Sequence, residues 1–202
     1  MNYLAIDTSG DLLVALNIGD NFKVKHLVGN QTKHSLTLMP YIEQILCENN
    51  VNLSDLDFFA VVIGPGSFTG IRIGISTIKA LCYATGKKVL PLTSFDLLAY
   101  ADNSPKKAFC VVDANHDNYY SCAYDKKNVV LKECFLSKEQ ILQNLGDFNL
   151  CAIQNCDLPN LTLCDVISGI KNAVLNKANN LYDESEILPL YVKRSQAEEE
   201  RC

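Results

Sequence analysis

Apolar positions along this chain fall into two kinds of pattern, short continuous runs and long stretches of helical period. Their order predicts an α/β protein built in two halves. In the first half, residues 4–7 form an apolar run that closes on Asp7, and 12–18 reads as a second strand. Gly19-Asp20-Asn21 is a hairpin signal, and 22–28 reads as a third strand. Residues 34–47 carry a helical stripe of Leu38, Ile42, Ile45 and Leu46 with Met39 beside it, and Pro40 about one turn in predicts a bend. The β-rich run 58–63 is followed by a helix over Phe68–Thr85. The order then repeats: a run over 109–113 closing on Asp113, a strand over 119–124, the turn Asp125-Lys126-Lys127-Asn128, and a strand over 129–135. A helix over 137–145 follows, with Ser137 and Gln140 spaced as a capping box. A short helix over 94–101 with Ser94 as its cap, a strand over 148–153, a helix over 165–181 and a frayed charged tail over 196–200 complete the reading. The polar segment Asp102-Asn103-Ser104-Pro105-Lys106-Lys107 marks a boundary, so the expected lobes are 1–102 and 108–202.

The segment between 58–63 and the long helix, Gly64-Pro65-Gly66-Ser67-Phe68-Thr69-Gly70-Ile71-Arg72-Ile73-Gly74, is the most informative in the chain. Gly66, Gly70 and Gly74 recur every four residues, which permits very close backbone approach along one side. On a helical wheel Ile71, Ile75, Ile78 and Cys82 cluster, while Ile73, Ala80 and Ala84 lie opposite. Arg72, Lys79, Ser76 and Tyr83 leave only a narrow polar strip. A helix on one sheet needs an apolar stripe somewhat over 100° wide, and this one is roughly twice that. It must be covered on two sides, by its own sheet and by either the 34–47 helix or another subunit.

The 202 residues are 48% hydrophobic, enough for a substantial core, and carry a net charge of −5 with arginine only at Arg72, Arg194 and Arg201. That balance disfavours tight RNA binding by the chain alone. The lysine pairs Lys87-Lys88, Lys106-Lys107 and Lys126-Lys127 read as solvated turns. The nine cysteines are scattered without a C-x-x-C pair, as expected of reduced, buried thiols. No basic stretch precedes the first apolar run and no run reaches 18 apolar residues, so a cytosolic location without signal peptide or membrane span is expected.

The Gly64–Gly70 turn could hold an anion at a helix N-terminus, but no lysine follows Gly70, so it is not a P-loop. Ser67 and Thr69 read as capping hydroxyls. Of the three histidines, His26 reads as a surface strand residue, His34 as a cap or packing residue and His116 as part of a turn with Asp113 and Asp117. An aspartate ending the first strand of each half is the layout of actin-like and sugar-kinase-like ATPase folds, where it faces metal and phosphate. Asp7 and Asp113 fit that role and equally fit a strand-end residue that accepts hydrogen bonds from its own turn. From Phe109 onward only Gly146 and Gly169 occur, too few glycines for a second nucleotide loop.

Asp7-Thr8-Ser9, His34-Ser35, the Gly64 to Gly74 segment, Lys79-Ala80-Leu81, Thr93-Ser94-Phe95 and Tyr191-Val192-Lys193-Arg194 together resemble the TsaB (YeaZ) family. The likeness is dense over residues 1–100 and looser from 109 onward, where Asp113-Ala114 fits and Asn115 stands at a position commonly arginine. The resemblance implies a two-lobed actin-like, ribonuclease-H-like ATPase (ASKHA) fold, each lobe a mixed sheet with flanking helices. It implies a non-catalytic scaffold subunit of the bacterial complex that forms N6-threonylcarbamoyladenosine at position 37 of ANN-decoding tRNAs. Such a subunit binds and stabilises the catalytic subunit TsaD, with the ATPase TsaE in the larger complex, a homodimer as the other assembly, and tRNA reached only through the complex. The two apolar helices would make the contact, through Leu38, Ile42, Ile45, Gly70, Ile71, Ile73, Gly74, Ile75 and Ile78. Asp7, Thr8, Ser9 and Asp113 would form a vestigial phosphate site; no catalytic residue, metal or cofactor is expected. The alternative is an actin-like ATP-binding enzyme or a metalloprotease-like (glycoprotease) protein.

Overall fold

The computed structural model describes residues 1–29 and 33–193. Arg194 and the charged stretch 196–200 lie outside the described residues. Two compact units emerge among the described residues, one of Met1–Thr93 with Ala173–Pro189, the other of Ser94–Asn172 with 190–193.

The first unit begins with β1 (Tyr3–Asp7), β2 (Leu12–Ile18) and β3 (Asn21–Leu27), then α1 (His34–Glu48), β4 (Phe58–Val62), α2 (Phe68–Thr85) and β5 (Val89–Leu92). The sheet order is β3-β2-β1-β4-β5. β2 pairs antiparallel with both β1 and β3 through a tight hairpin, while β4 and β5 run parallel to β1. Parallel neighbours need crossovers, and α1 and α2 supply them. Every residue of β1 and β4 is buried, as befits central strands covered on both faces. The core joins Leu4, Ile6, Val14 and Phe59 of the sheet to Leu38, Ile42 and Ile45 of α1 and Ile71, Ile75 and Ile78 of α2. α1 runs unbroken through Pro40.

The second unit repeats the plan. Its strands are β6 (Lys107–Asp113), β7 (Asn118–Asp125), β8 (Asn128–Ser137), β9 (Asn149–Ala152) and β10 (Thr162–Leu163), in the order β10-β9-β6-β7-β8. The antiparallel and parallel pairings match those of the first unit. α3 (Ser94–Tyr100) packs on β6 and β7, and α4 (Lys138–Asn144) on β8. Ser137 accepts from the Gln140 amide at 3.3 Å while the Gln140 side chain accepts from the Ser137 amide at 2.9 Å, the capping box the spacing predicts. The repeat departs from the first unit in one place. β4 and β5 are joined by α2, whereas the connection 153–161 between β9 and β10 contains no helix.

The division differs from the expected 1–102 and 108–202. All seven residues of α3 are buried and the helix lies on the second sheet, so the break falls at Thr93/Ser94 rather than in the polar loop. α5 (Val166–Lys177) is shorter than the expected 165–181, and its chain returns to the first unit from Ala173. There Ile187 enters the core and the turn Glu184–Glu186 packs on α2. Two strands were not anticipated. β10 has only two residues, and β5 has four and contains Pro91, which lacks a donor for the ladder and suits a sheet edge.

The sheet, α1 and the segment through Ile187 therefore cover the Ile71, Ile75 and Ile78 side of α2 from within, while Ala80 and Ala84 on the opposite side stay exposed. Replacing the buried Ile78 with alanine is expected to cost about 2–5 kcal/mol in urea unfolding. Replacing Leu36, which is 69% exposed, is expected to change stability by less than about 0.5 kcal/mol.

Candidate functional site

The glycine spacing of four serves an internal contact. The turn after β1 lies directly against the start of α2. A Cβ on Gly66 would sit 2.3 Å from the Ser9 carbonyl oxygen, one on Gly70 1.9 Å from the Thr8 carbonyl oxygen, and one on Gly74 2.4 Å from Thr8 Oγ1. Gly66 also has φ +156° and Gly64 φ +114°, backbone that side chains resist. The approach is fastened by hydrogen bonds: the Ser67 amide donates to the Ser9 carbonyl at 2.6 Å and the Thr8 hydroxyl donates to the Gly70 carbonyl at 2.8 Å. Ser67 is the N-cap of α2, its hydroxyl accepting from the Gly70 amide at 3.2 Å. His34, at the first residue of α1, packs here too, its Nδ1 3.2 Å from a Gly70 Cβ.

Of the residues expected to form a vestigial phosphate site, Thr8 and Ser9 are thus engaged in holding β1 to α2. Asp7, Thr8 and Ser9 are all buried, and Asp7 Oδ1 accepts from the Ser9 amide at 2.7 Å. Asp113 repeats that turn, its Oδ1 accepting from the Asn115 amide at 2.7 Å, but stands exposed. Of the two roles open to these aspartates, the backbone-capping one is in place at both. Burial pushes the Asp7 carboxyl above its ordinary value, against the opposing pull of hydrogen bonds from Ser9 and of His26 and His34 nearby. His26 is partly buried rather than a surface residue, its Nε2 4.0 Å from Asp11. His116 sits in a turn where Asn115, His116 and Asp117 all have positive φ. Among the described residues no group of three His, Cys, Asp or Glu side chains is arranged to hold a metal ion. Nor is any helix among them long and apolar enough to cross a membrane.

The helical residues expected at a partner interface divide sharply. Leu38, Ile42, Ile45, Ile71, Ile75 and Ile78 are no more than 5% exposed, and Gly70 and Gly74 face Thr8; all eight belong to the interior of the first unit. Only Ile73 is half-buried, and it too packs against that core. The reason is the direction in which α2's wide apolar arc is turned. The Ile71 side faces the sheet and α1, and the Ile73, Ala80 and Ala84 side faces outward. The outward face of the two helices carries Leu36 (69% exposed), Met39 (40%), Phe68 (49%) and Tyr83 (84%). A shallow depression lies within it, lined by Ser35, Phe68, Thr69, Arg72, Ile73 and Ser76. The Arg72 guanidinium stacks 3.8 Å from the centre of the Phe68 ring. Leu36, Met39 and Phe68 were missed because the periodicity that marks them as off the core stripe says nothing about their being left uncovered.

A family model described as "TsaD: tRNA N6-adenosine threonylcarbamoyltransferase" matches residues 29–198. The chain belongs to this family, on its TsaB (YeaZ) side. The tRNA threonylcarbamoyladenosine biosynthesis protein TsaB of Bacillus subtilis is 30% identical over 138 residues, covering 66% of this chain and 59% of that protein. TsaB of Haemophilus influenzae is 25% identical over 166 residues, covering 74% and 70%. A tRNA N6-adenosine threonylcarbamoyltransferase of Prochlorococcus marinus is 28% identical over 130 residues, covering 52% of this chain and 36% of that enzyme. The match thus spans less than two thirds of the B. subtilis protein's own length. The crystal structure of YeaZ from Pseudomonas aeruginosa superposes with a TM-score of 0.78 at 24% identity, covering 94% of this chain and 99% of that one. The fold is accordingly the actin-like, ribonuclease-H-like one, two α/β units each with a mixed sheet.

Two outcomes follow for the TsaB-family clasp between β1 and α2. Gly70→Ala drives a Cβ into backbone, and it is expected to lose about 3 kcal/mol or more in denaturant unfolding, whereas Gly10→Ala, with open space around it, changes little. The native state holds the Asp7 proton more tightly than the unfolded chain. Stability from this group is therefore lost as pH rises from the ordinary carboxylate value of about 4 through the raised one. Asp7→Asn keeps the acceptor for the Ser9 amide; unfolding measured across that range is expected to be flatter with pH than wild type, and the variant relatively more stable at the upper end.

Proposed function

We propose that this chain is a non-catalytic scaffold subunit in tRNA threonylcarbamoyladenosine biosynthesis, and that it binds a TsaD-like catalytic subunit through the outward face of α1 and α2. The observation that carries this reading is that face itself. Leu36, Met39, Phe68 and Tyr83 stand exposed on the two helices, and Phe68 with the half-buried Ile73 lines a shallow depression, beside a fully formed core. Apolar surface gathered on two adjacent helices marks an interaction site more often than a solvated one. Membership of the threonylcarbamoyltransferase family and the TsaB names of the relatives support the pathway. The scaffold role is supported by the chemistry of the glycine turn. The Ser67 and Gly70 amides and the Thr8 hydroxyl, the groups that would have to receive a phosphate, already bond within the chain.

On this reading the contact involves Ile73 with Leu36, Met39, Phe68 and Arg72, and the buried residues Leu38, Ile42, Ile45, Ile71, Ile75 and Ile78 act by holding the two helices in place. A TsaE-like ATPase joins the larger complex, and tRNA is reached through the assembly. A homodimer would use the same face. The test is size exclusion of the chain mixed with the TsaD-like protein of its own cell. Leu36→Glu/Phe68→Glu is expected to abolish co-elution while leaving the melting temperature within a few degrees of wild type. Co-elution of this double variant at wild-type yield would overturn the assignment of the face. A complex lost only by Ile75→Asp, together with its fold, would not support it.

A further inference from the structure

The lysine pairs that read as separate solvated turns are brought together in the second unit. Lys126, at the tip of the β7–β8 hairpin, donates its amide to the Lys106 carbonyl at 2.8 Å, which holds the hairpin turn against the loop after α3. Between them lies a cavity of about 410 Å³, within the range that takes small-molecule ligands. Lys106, Lys126 and Lys127 line it together with Tyr100, Tyr124 and Pro105.

Strand alternation separates the two lysines of the first pair. Lys107 turns away to an ion pair with Asp147 beside the Phe148 ring, leaving Lys106 on the cavity. None of the three cavity lysines has a carboxylate within ion-pair distance among the described residues. Lys127 Nζ instead lies 5.0 Å from the centre of the Tyr100 ring. The carboxylate that lines the cavity, Asp102, accepts from Asn172 Nδ2 at 2.7 Å, and the Tyr124 hydroxyl donates to Asp96 at 3.2 Å. The three ammonium groups on the cavity thus have no ion-pair partner among the described residues, while Asp102 is bonded to Asn172.

The hairpin turn adds an independent sign. Asp125 pairs with Asn128 across a two-residue connection, and Lys126 (φ +48°) and Lys127 (φ +70°) both adopt left-handed backbone. Asn-Gly is the pair such a turn prefers. Two lysines there are a local conflict that delivers two ammonium groups to one cavity, and such conflicts gather at functional sites.

We propose that this cavity binds a nucleotide-sized organic phosphate, the phosphate held by Lys106, Lys126 and Lys127 and the planar apolar part lodged against Tyr100, Tyr124 and Pro105. The same chemistry could come from a free nucleotide or from the phosphorylated end of an RNA strand. The site lies wholly within the second unit and does not depend on the partner-binding reading above.

The experiment is calorimetric titration of the full chain with adenosine monophosphate, with adenosine, and with a 5′-phosphorylated RNA tetranucleotide. Adenosine monophosphate is expected to bind at least about tenfold tighter than adenosine and to weaken as salt is raised. Tighter binding of the mononucleotide than of the tetranucleotide assigns the free ligand, and the reverse assigns the strand end. Lys126→Asn/Lys127→Gly installs the residues the turn prefers and removes two charges. It is expected to melt no lower than wild type and to lose at least about tenfold in affinity. Equal affinity for adenosine and its monophosphate, unchanged affinity in the double variant, or no binding of either phosphate at millimolar concentration would overturn the proposal.

Discussion

The first unit is organised around one close approach, the Thr8–Ser9 backbone lying on the glycine side of α2. Only residues without a Cβ fit at 66, 70 and 74, because each would meet a backbone carbonyl or the Thr8 hydroxyl at well under 3 Å. Two hydrogen bonds, Ser67 to Ser9 and Thr8 to Gly70, set both the height and the rotation of the helix. With that rotation set, Ile71, Ile75 and Ile78 have no direction open to them but the sheet and α1. The same rotation turns Ile73, Ala80 and Ala84 outward. The core and the exposed helical face are therefore two consequences of one contact.

The two units share a strand order and a strand-end aspartate that accepts from the amide two residues on. They differ in what surrounds that turn. In the first, α2 covers it, and burial raises the Asp7 carboxyl's affinity for its proton. In the second, no helix joins β9 to β10, and Asp113 stands in solvent. The shared plan thus carries a helix-covered, glycine-lined turn after its first strand in one half only.

Each unit offers one surface that its own folding does not use. The first presents exposed apolar side chains on two helices, with Arg72 stacked on Phe68 among them. The second presents a lysine-edged cavity suited to an anion. The overall charge of −5 gives no hint of the latter, because a local arrangement of three ammonium groups outweighs the sum over the chain at short range.

Periodicity was sufficient to read β2, α2 and the capping box at Ser137 to the residue, and to read the internal repeat, because each is governed by neighbours a few positions away. The family, too, was legible in Asp7-Thr8-Ser9 and the Gly64 to Gly74 segment. Direction was not legible. The wheel separated Ile71 from Ile73 but could not say which side its own sheet would take, and it could not say that the glycines awaited Thr8 and Ser9 rather than a ligand. Lys106 and Lys126 lie twenty positions apart, and only the pairing of β6 with β7 brings them to one cavity. The chain by itself determined its helices, its kinship and all its strands but the short β5 and β10, because these depend on local spacing. The tertiary structure alone decided what each apolar or charged surface faces, because that depends on contacts between residues whose separation in sequence carries no periodic signal.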